Sequence, residues 1–321
     1  MAFGMLVGRP LFFADGWGDL RVLHDDPVEL TGRAPARLAI RWGAPRRSRW
    51  GTLREGAFES PEGRLPACSR TARVQLALPA GPLRGIALHL AASGDQGFRV
   101  RLRLATPLLE RGIGALVLEN ALYGARRPPG QLGPAVRTVS DLYLMAAATL
   151  QEGRALLRWL YEGSFGAVGV TGYSMGGQMA AMVGATVPFP VAVIPVAPTC
   201  APDSVLRSGA MCNVASWTAL GAGREDAAEV RNALCARLAR YSVARLAPPL
   251  RPDAAIVVGT AHDAIVPPSE MRRIADHWGC ELRWLPASHV SAILRHQGAF
   301  RRAIADAFDR IAPDVAATPT A

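Results

Sequence analysis

Apolar positions along this chain keep two rhythms in turn, a period of two and the longer period of a helix. Residues 73–78 alternate and predict a strand, closed by the turn Pro79-Ala-Gly81-Pro82. Residues 83–90 predict a second strand, followed by the loop Ala91-Ala-Ser-Gly-Asp95. A helix fits 99–111 and a strand 115–119, and a loop rich in Pro, Gly and Arg covers 120–134. Ser140 or Asp141 is a candidate cap for a long helix that runs to about residue 161. Val168 and Val170, among small neighbours, suit a strand covered on both faces, and 175–184 suits a closely packed helix. Residues 191–196 read as another buried strand. A mixed stretch, 198–249, holds one clear helical segment at 224–240. Strand 254–258, helix 269–278, strand 281–285 and a final helix at 291–311 complete the pattern.

Strands alternating with helices at such short spacings predict an α/β chain with a mostly parallel central sheet and helices on both faces. The expected organisation is an irregular N-terminal extension (1–75, with one or two strands) packed on a core of 76–198 and 250–312. Residues 199–249 form an insertion, and 313–321 read as a disordered tail.

Composition narrows this picture. The chain has 321 residues, 50% of them hydrophobic, enough to bury a large core. No run of 18 apolar residues exists to cross a membrane, and 1–13 lacks the basic start of a signal peptide. The five cysteines are scattered without a Cys-x-x-Cys pair, which fits reduced thiols and a cytoplasmic protein with no metal site. The formal charge is +10, yet all 36 basic residues are arginine, spread along the chain and interleaved with acids. A nucleic-acid module would show a basic stripe and a recognisable motif, so no nucleic-acid partner is expected. Peripheral contact with an anionic membrane, or an acidic substrate, remains open. Nothing in the sequence calls for a cofactor or bears on oligomeric state.

Candidate chemistry starts at residues 167–177, where a short apolar run breaks into Gly172-Tyr-Ser-Met-Gly176. A Gly-x-Ser-x-Gly turn between strand and helix holds the serine in a strained backbone position with its hydroxyl exposed. A Gly-rich turn with an ordinary serine is the competing reading, and the flanking strand and helix favour a nucleophile at Ser174. A serine needs a base within hydrogen-bond reach and an acid to orient that base. Asp263 follows the 254–258 strand in Asp-x-x-Val-Pro, and His289 follows the 281–285 strand just ahead of a helix. The order Ser, Asp, His is the one this kind of sheet uses. Asp203 is the runner-up acid. Among the other histidines, His262 adjoins the candidate acid, His277 and His296 lie in predicted helices, His24 sits in the irregular region, and His89 is on or just past an earlier strand. The oxyanion needs two backbone donors: Met175 N–H directly after the nucleophile, and one from the loop after residue 90, at Ala91 or Ala92. His89 and Asp95 are alternatively braces for that loop.

These residues together resemble the α/β-hydrolase superfamily over roughly 76–312. Four segments are more specifically similar to the abhydrolase-domain-containing protein 18 family: Leu88-His-Leu-Ala-Ala-Ser-Gly-Asp95, Leu118-Glu-Asn-Ala-Leu-Tyr-Gly-Ala-Arg-Arg-Pro128, Val139-Ser-Asp-Leu-Tyr143 and Thr171-Gly-Tyr-Ser-Met-Gly-Gly177. In that family the Glu-Asn segment continues Pro-Tyr-Tyr-Gly, whereas here it is Ala121-Leu122-Tyr123-Gly124. The resemblance implies an α/β-hydrolase fold with a small lid at 199–249 and a serine hydrolase of small-molecule or lipid esters. Acyl transfer by the same residues, or a catalytically silent binding protein, stays open beside it. Tyr123, Arg126 and Arg127 lie in a loop near the expected mouth, where the arginines either clamp a carboxylate or phosphate or pair with surface acids. Val205, Leu206, Met211, Val214, Trp217 and Leu220 either line an acyl pocket or pack the insertion onto the core.

Overall fold

A computed structural model describes residues 12–208, 210–221 and 227–311. Nine strands form one continuous path: β1 (Arg41–Trp42), β3 (Gly51–Glu59), β4 (Thr71–Pro79), β6 (Ile113–Leu118), β5 (Gly85–Leu90), β7 (Ala167–Tyr173), β8 (Ala192–Val196), β9 (Ile256–Thr260) and β10 (Glu281–Leu285), with β2 (Arg46–Ser48) paired to β3. From β6 to β10 every pairing is parallel, and β1 to β4 join in antiparallel fashion. All residues of β5, β6, β8 and β9 are buried. Parallel strands sealed by crossover helices read as continuous apolar runs for this reason.

In chain order the helices are α1 (Pro27–Thr31), α2 (Ala67–Arg70), α3 (Arg99–Leu109), α4 (Val139–Glu162), α5 (Met175–Ala185), α6 (Asp203–Ser208), α7 (Ala227–Leu238), α8 (Pro268–Trp278), α9 (His289–Arg295) and α10 (Gln297–Ile311). Helices α4, α5 and α8 share one apolar cluster with one face of the sheet, including Leu156, Met182 and Ile274. On the other face, Phe300, Ile304 and Phe308 of α10 pack with Leu108 of α3 against Ile194 and Val258. The chain thus has a mostly parallel central sheet with helices on both faces. No described helix is long and apolar enough to cross a membrane.

Three differences from the sequence expectation have physical causes. The irregular extension contributes β1, β2 and β3, and β3 pairs with β4 along nine residues, from Gly51↔Pro79 to Glu59↔Thr71. The expected boundary at 75 therefore falls inside a strand, and β3 was obscured because Gly51 and Gly56 interrupt its alternation. The long helix α4 is capped by Thr138, not by Ser140 or Asp141. Its hydroxyl accepts the Asp141 N–H at 3.0 Å while the Asp141 carboxylate accepts the Thr138 N–H, a reciprocal capping box. The final helix is two helices, broken at His296, because α9 takes its direction from the Ser288 cap and α10 from its apolar face against the sheet.

Residues 199–249 contain α6, α7 and short 3-10 turns. Leu206 and Leu220 are buried in the main core, and Val205, Val214 and Trp217 pack against it. Of the two readings of this insertion, packing onto the core describes these side chains. The Met211 side chain, residues 224–226 of the expected helix, and the tail at 313–321 lie outside the described residues.

Candidate active site

Parallel strands direct their carboxyl ends to one edge of the sheet, and loops there come together. β5 ends at Leu90, β7 at Tyr173, β9 at Thr260 and β10 at Leu285, so the segments that follow bring Ala91, Ser174, Asp263 and His289 to that edge. Ser174 sits between β7 and α5 with φ 57° and ψ −122°. A non-glycine residue in this region costs about 1–3 kcal/mol and persists only when its surroundings enforce it. Here the Ser174 N–H donates to Val196 O at 2.8 Å, and the Ser174 carbonyl accepts from Gln178 N–H at 3.0 Å. The neighbouring glycines are required by space. A Cβ at Gly172 would lie 2.2 Å from Gly176 O, and one at Gly176 would lie 2.5 Å from Leu90 O.

His289 begins α9, positioned by the Ser288–Ser291 capping box. Its Nδ1 is 2.6 Å from Asp263 Oδ2, and its Nε2 is 2.9 Å from Ser174 Oγ. A carboxylate only accepts, so Nδ1 carries the proton and Nε2 is left to accept from the serine. Asp263 is itself held: Oδ1 accepts the N–H groups of Ile265 (2.9 Å) and Val266 (2.8 Å), and Oδ2 accepts the Thr260 hydroxyl at 2.6 Å. Burial works to raise the Asp263 carboxyl, but the hydrogen bonds from His289, Thr260 and Val266 outweigh it. The group lies below its usual range and is a carboxylate at neutral pH.

Two contacts of this site had no sequence signal that gave them a role. Tyr173, one residue before the serine, donates from its hydroxyl to the His289 carbonyl, and its ring lies 5.1 Å from the imidazole. Thr260, the last residue of β9, was visible only as a strand end. Of the rival residues, Asp203 pairs with Arg207, His277 bonds Leu246 O, and His24 and His262 are exposed. His89 is buried, and burial with the nearby Arg101 charge lowers it to about 3, so it stays neutral.

The oxyanion candidates lie beside the serine. Met175 is the first residue of α5, where a helix leaves its N–H without an intrahelical acceptor. A Cβ on Gly176 would come within 2.8 Å of both the carbon and oxygen of the Ala91 carbonyl, so the peptide joining Ala91 to Ala92 abuts the turn.

The arginine loop departs from expectation. Arg126 is 1% exposed and turned inward: it donates to Glu152 at 2.9 and 2.5 Å, to Ser69 O at 2.8 and 3.1 Å, and to Glu119 O at 2.7 Å. Every donor on that guanidinium is committed within the fold, which removes it as a substrate clamp. Tyr123 is also buried at 1% exposure, with its hydroxyl accepting the Gly94 N–H at 3.4 Å, so it meets the loop that follows β5 and not a ligand. Arg127 is exposed, 3.4 Å from Gln96 Oε1. Sequence position alone could not separate two adjacent arginines, one of which faces a buried acid from α4.

The family model for alpha/beta hydrolase domain containing 18 matches residues 11–237 and 222–310. The chain belongs to that family. Solved structures with the same fold include acetyl xylan esterase 1 from Thermoanaerobacterium sp., at 14% identity and TM-score 0.62 over 90% of this chain and 96% of that one. The acetyl xylan esterase from Paenibacillus sp. R4 shares 15% identity, with TM-score 0.59 over 91% and 96%. Est1E from Butyrivibrio proteoclasticus, solved with ferulic acid bound, shares 14% identity, with TM-score 0.54 over 76% and 97%. At these identities the likeness is one of fold.

Proposed function

We propose that this protein is a serine-dependent hydrolase of carboxylic esters. The observation that carries the reading is the unbroken line Ser174 Oγ, His289 Nε2, His289 Nδ1 and Asp263 Oδ2, with steps of 2.9 and 2.6 Å across its two hydrogen bonds. Family membership and the esterases that share the fold support it further.

In this reading Ser174 Oγ attacks the ester carbonyl carbon as its proton passes to His289 Nε2. Asp263 stays ionised and stabilises the imidazolium that forms. Negative charge on the former carbonyl oxygen falls to the Met175 N–H and a second backbone donor at Ala91 or Ala92. Each such donor is worth about 2.7–4 kcal/mol of barrier. Collapse releases the alcohol, which takes the proton from His289, and leaves Ser174 acylated. Water, deprotonated by the same nitrogen, then attacks the acyl carbon and frees the acid and the serine.

Val290 and Leu294 are 53% and 67% exposed and stand one turn apart on the helix that begins with His289. This supports esters with an aliphatic chain, lipid esters included.

The test is labelling with a fluorophosphonate probe beside hydrolysis of p-nitrophenyl esters from acetate to decanoate, with Ser174→Ala as the control. Labelling and turnover that both vanish in Ser174→Ala are expected, with a rise in kcat/KM at intermediate chain length. An unlabelled wild-type protein, or turnover that survives the substitution, overturns the reading.

A further inference from the structure

The loop after β5 carries a buried charge pair that the triad does not use. Arg101, on α3 and 5% exposed, donates from Nη1 to the carbonyls of His89 (3.3 Å) and Leu118, and from Nη2 to the carbonyl of Gly97. Its Nε lies 2.8 Å from Asp95 Oδ2, and Asp95 is 3% exposed. One guanidinium therefore grips the loop where it leaves β5, where it returns towards α3, and at its middle. The Asp95 N–H donates to Ala92 O at 3.1 Å, closing a turn on the segment that abuts Gly176. A second tether comes from the side: the Tyr123 hydroxyl accepts the Gly94 N–H at 3.4 Å, and Gln96 Oε1 accepts the Gly124 N–H at 3.2 Å.

Stability alone is a weak reason for this arrangement. Burial pushes the Asp95 carboxyl up and the Arg101 guanidinium down, so both charges are held against their desolvation. Buried ion pairs of this kind are often replaceable by apolar residues at no loss of stability. What a clasp on the His89 and Gly97 carbonyls and the Asp95 carboxylate supplies is fixed geometry. A displacement of about 1 Å in a reacting assembly costs on the order of 100-fold in rate, and a loop holds such tolerances only when its supports are themselves locked.

We propose that Arg101, with Tyr123 as its second tether, is a positioning residue that presets the Ala91–Ala92 backbone as the second oxyanion donor. The inference rests on the Ser174 hydrolase reading. It differs from a purely structural role in one measurable respect. A structural brace changes how much protein is folded, whereas a positioning residue changes the barrier at each folded site and leaves ground-state binding alone.

Two variants separate these. Arg101→Lys keeps a cation opposite Asp95 but lacks the fork that spans the carbonyls. Tyr123→Phe removes a single oxygen and tests the same loop if Arg101→Lys fails to fold. Active sites are counted by fluorophosphonate titration. On that count, kcat and KM for p-nitrophenyl butyrate are measured with Ki for an alkyl trifluoromethyl ketone. Ser174 Oγ adds to that ketone's carbonyl carbon with its proton passing to His289, giving a hemiketal oxyanion that needs the same donors as the reaction.

For Arg101→Lys, kcat per site is expected to fall about 30- to 100-fold with KM within about threefold, and Ki to rise in parallel with the loss in kcat. For Tyr123→Phe the same pattern is expected at about three- to tenfold. Values of kcat per site and Ki within about twofold of wild type, in whichever variant folds, overturn the positioning role while labelling at Ser174 still stands. Turnover that survives Ser174→Ala overturns the hydrolase reading, and the positioning inference falls with it.

Discussion

His289 Nδ1 and Asp263 Oδ2 stand 2.6 Å apart, although 26 positions separate the two residues in the chain. β9 and β10 run parallel and in register from Ile256↔Glu281 to Thr260↔Leu285, so the loops that follow them start side by side. Three further donors, the Thr260 hydroxyl and the N–H groups of Ile265 and Val266, fix the carboxylate before the imidazole meets it. Asp263→Asn would keep the shape but present an amide that can donate to Nδ1, favouring the tautomer with its proton on Nε2. In the proposed mechanism kcat falls by about 10⁴-fold, as expected for a triad locked in the wrong tautomer. Ester turnover, with circular dichroism to verify folding, is the measurement.

The turn that carries Ser174 tolerates no Cβ at its first glycine. Gly172→Ala would place a methyl 2.2 Å from Gly176 O, a backbone atom that cannot swing aside. A loss of about 3 kcal/mol or more is expected, at the upper end for overpacking a tight site. Urea unfolding checks it. A variant within about 0.5 kcal/mol of wild type, the range of neutral surface changes, would show that the turn relaxes more freely than its geometry implies.

Arg126 and Glu152 make a buried pair whose two members respond differently together and apart. Arg126→Met leaves the Glu152 carboxylate buried, with only the Ser60 hydroxyl at 2.6 Å, and is expected to cost about 3–5 kcal/mol. Adding Glu152→Leu removes the stranded charge and recovers much of that loss. Arg127→Gln, at an exposed position, changes stability by less than about 0.5 kcal/mol. Chemical denaturation of wild type, Arg126→Met, Glu152→Leu and the double variant forms a double-mutant cycle, with Arg127→Gln as the exposed-site control. Equal costs for the two arginines would contradict the inward role of Arg126.

His89 makes the fold acid-sensitive. Burial lowers its folded value to about 3 from an unfolded value of 6.5, so the unfolded chain takes up a proton that the folded chain refuses. The stabilisation is whole above pH 6.5 and declines as pH falls from 6.5 towards 3. Across that window the loss approaches about 5 kcal/mol as an upper bound, at 1.36 kcal/mol per unit. Thermal melts at stepped pH are expected to show wild type losing Tm faster on acidification than His89→Leu. Parallel curves for the two proteins would exclude this histidine as the cause.

Most of the fold was legible in the chain because a parallel sheet buries both faces of its strands. β10 was read with its full bounds, β5, β6, β8 and β9 within two residues at each end, and β7 as the buried strand around Val168 and Val170. β3 was expected only as one of one or two unplaced strands in the extension, because its core contacts come from pairing with β4, which its own Gly-interrupted pattern does not reveal. The candidate triad was legible because each member follows a recognisable strand end. Tyr173 and Thr260 were not, since each acts through one long-range or non-repetitive hydrogen bond that leaves no periodic trace.

By itself the sequence determined the strand and helix succession, the Gly-rich turn at 172–176 and the order in which Ser174, Asp263 and His289 come to the sheet edge. These depend on local periodicity and on residue types at chain positions, which are one-dimensional facts. Tertiary structure decided which way side chains face where two candidates lie next to each other. Arg126 turns in because Glu152 of α4 waits within the core, while Arg127, one residue on, points out. A loop has no fixed period to assign its faces, so only the elements packed against it settle which charge is buried and which is free to meet a ligand.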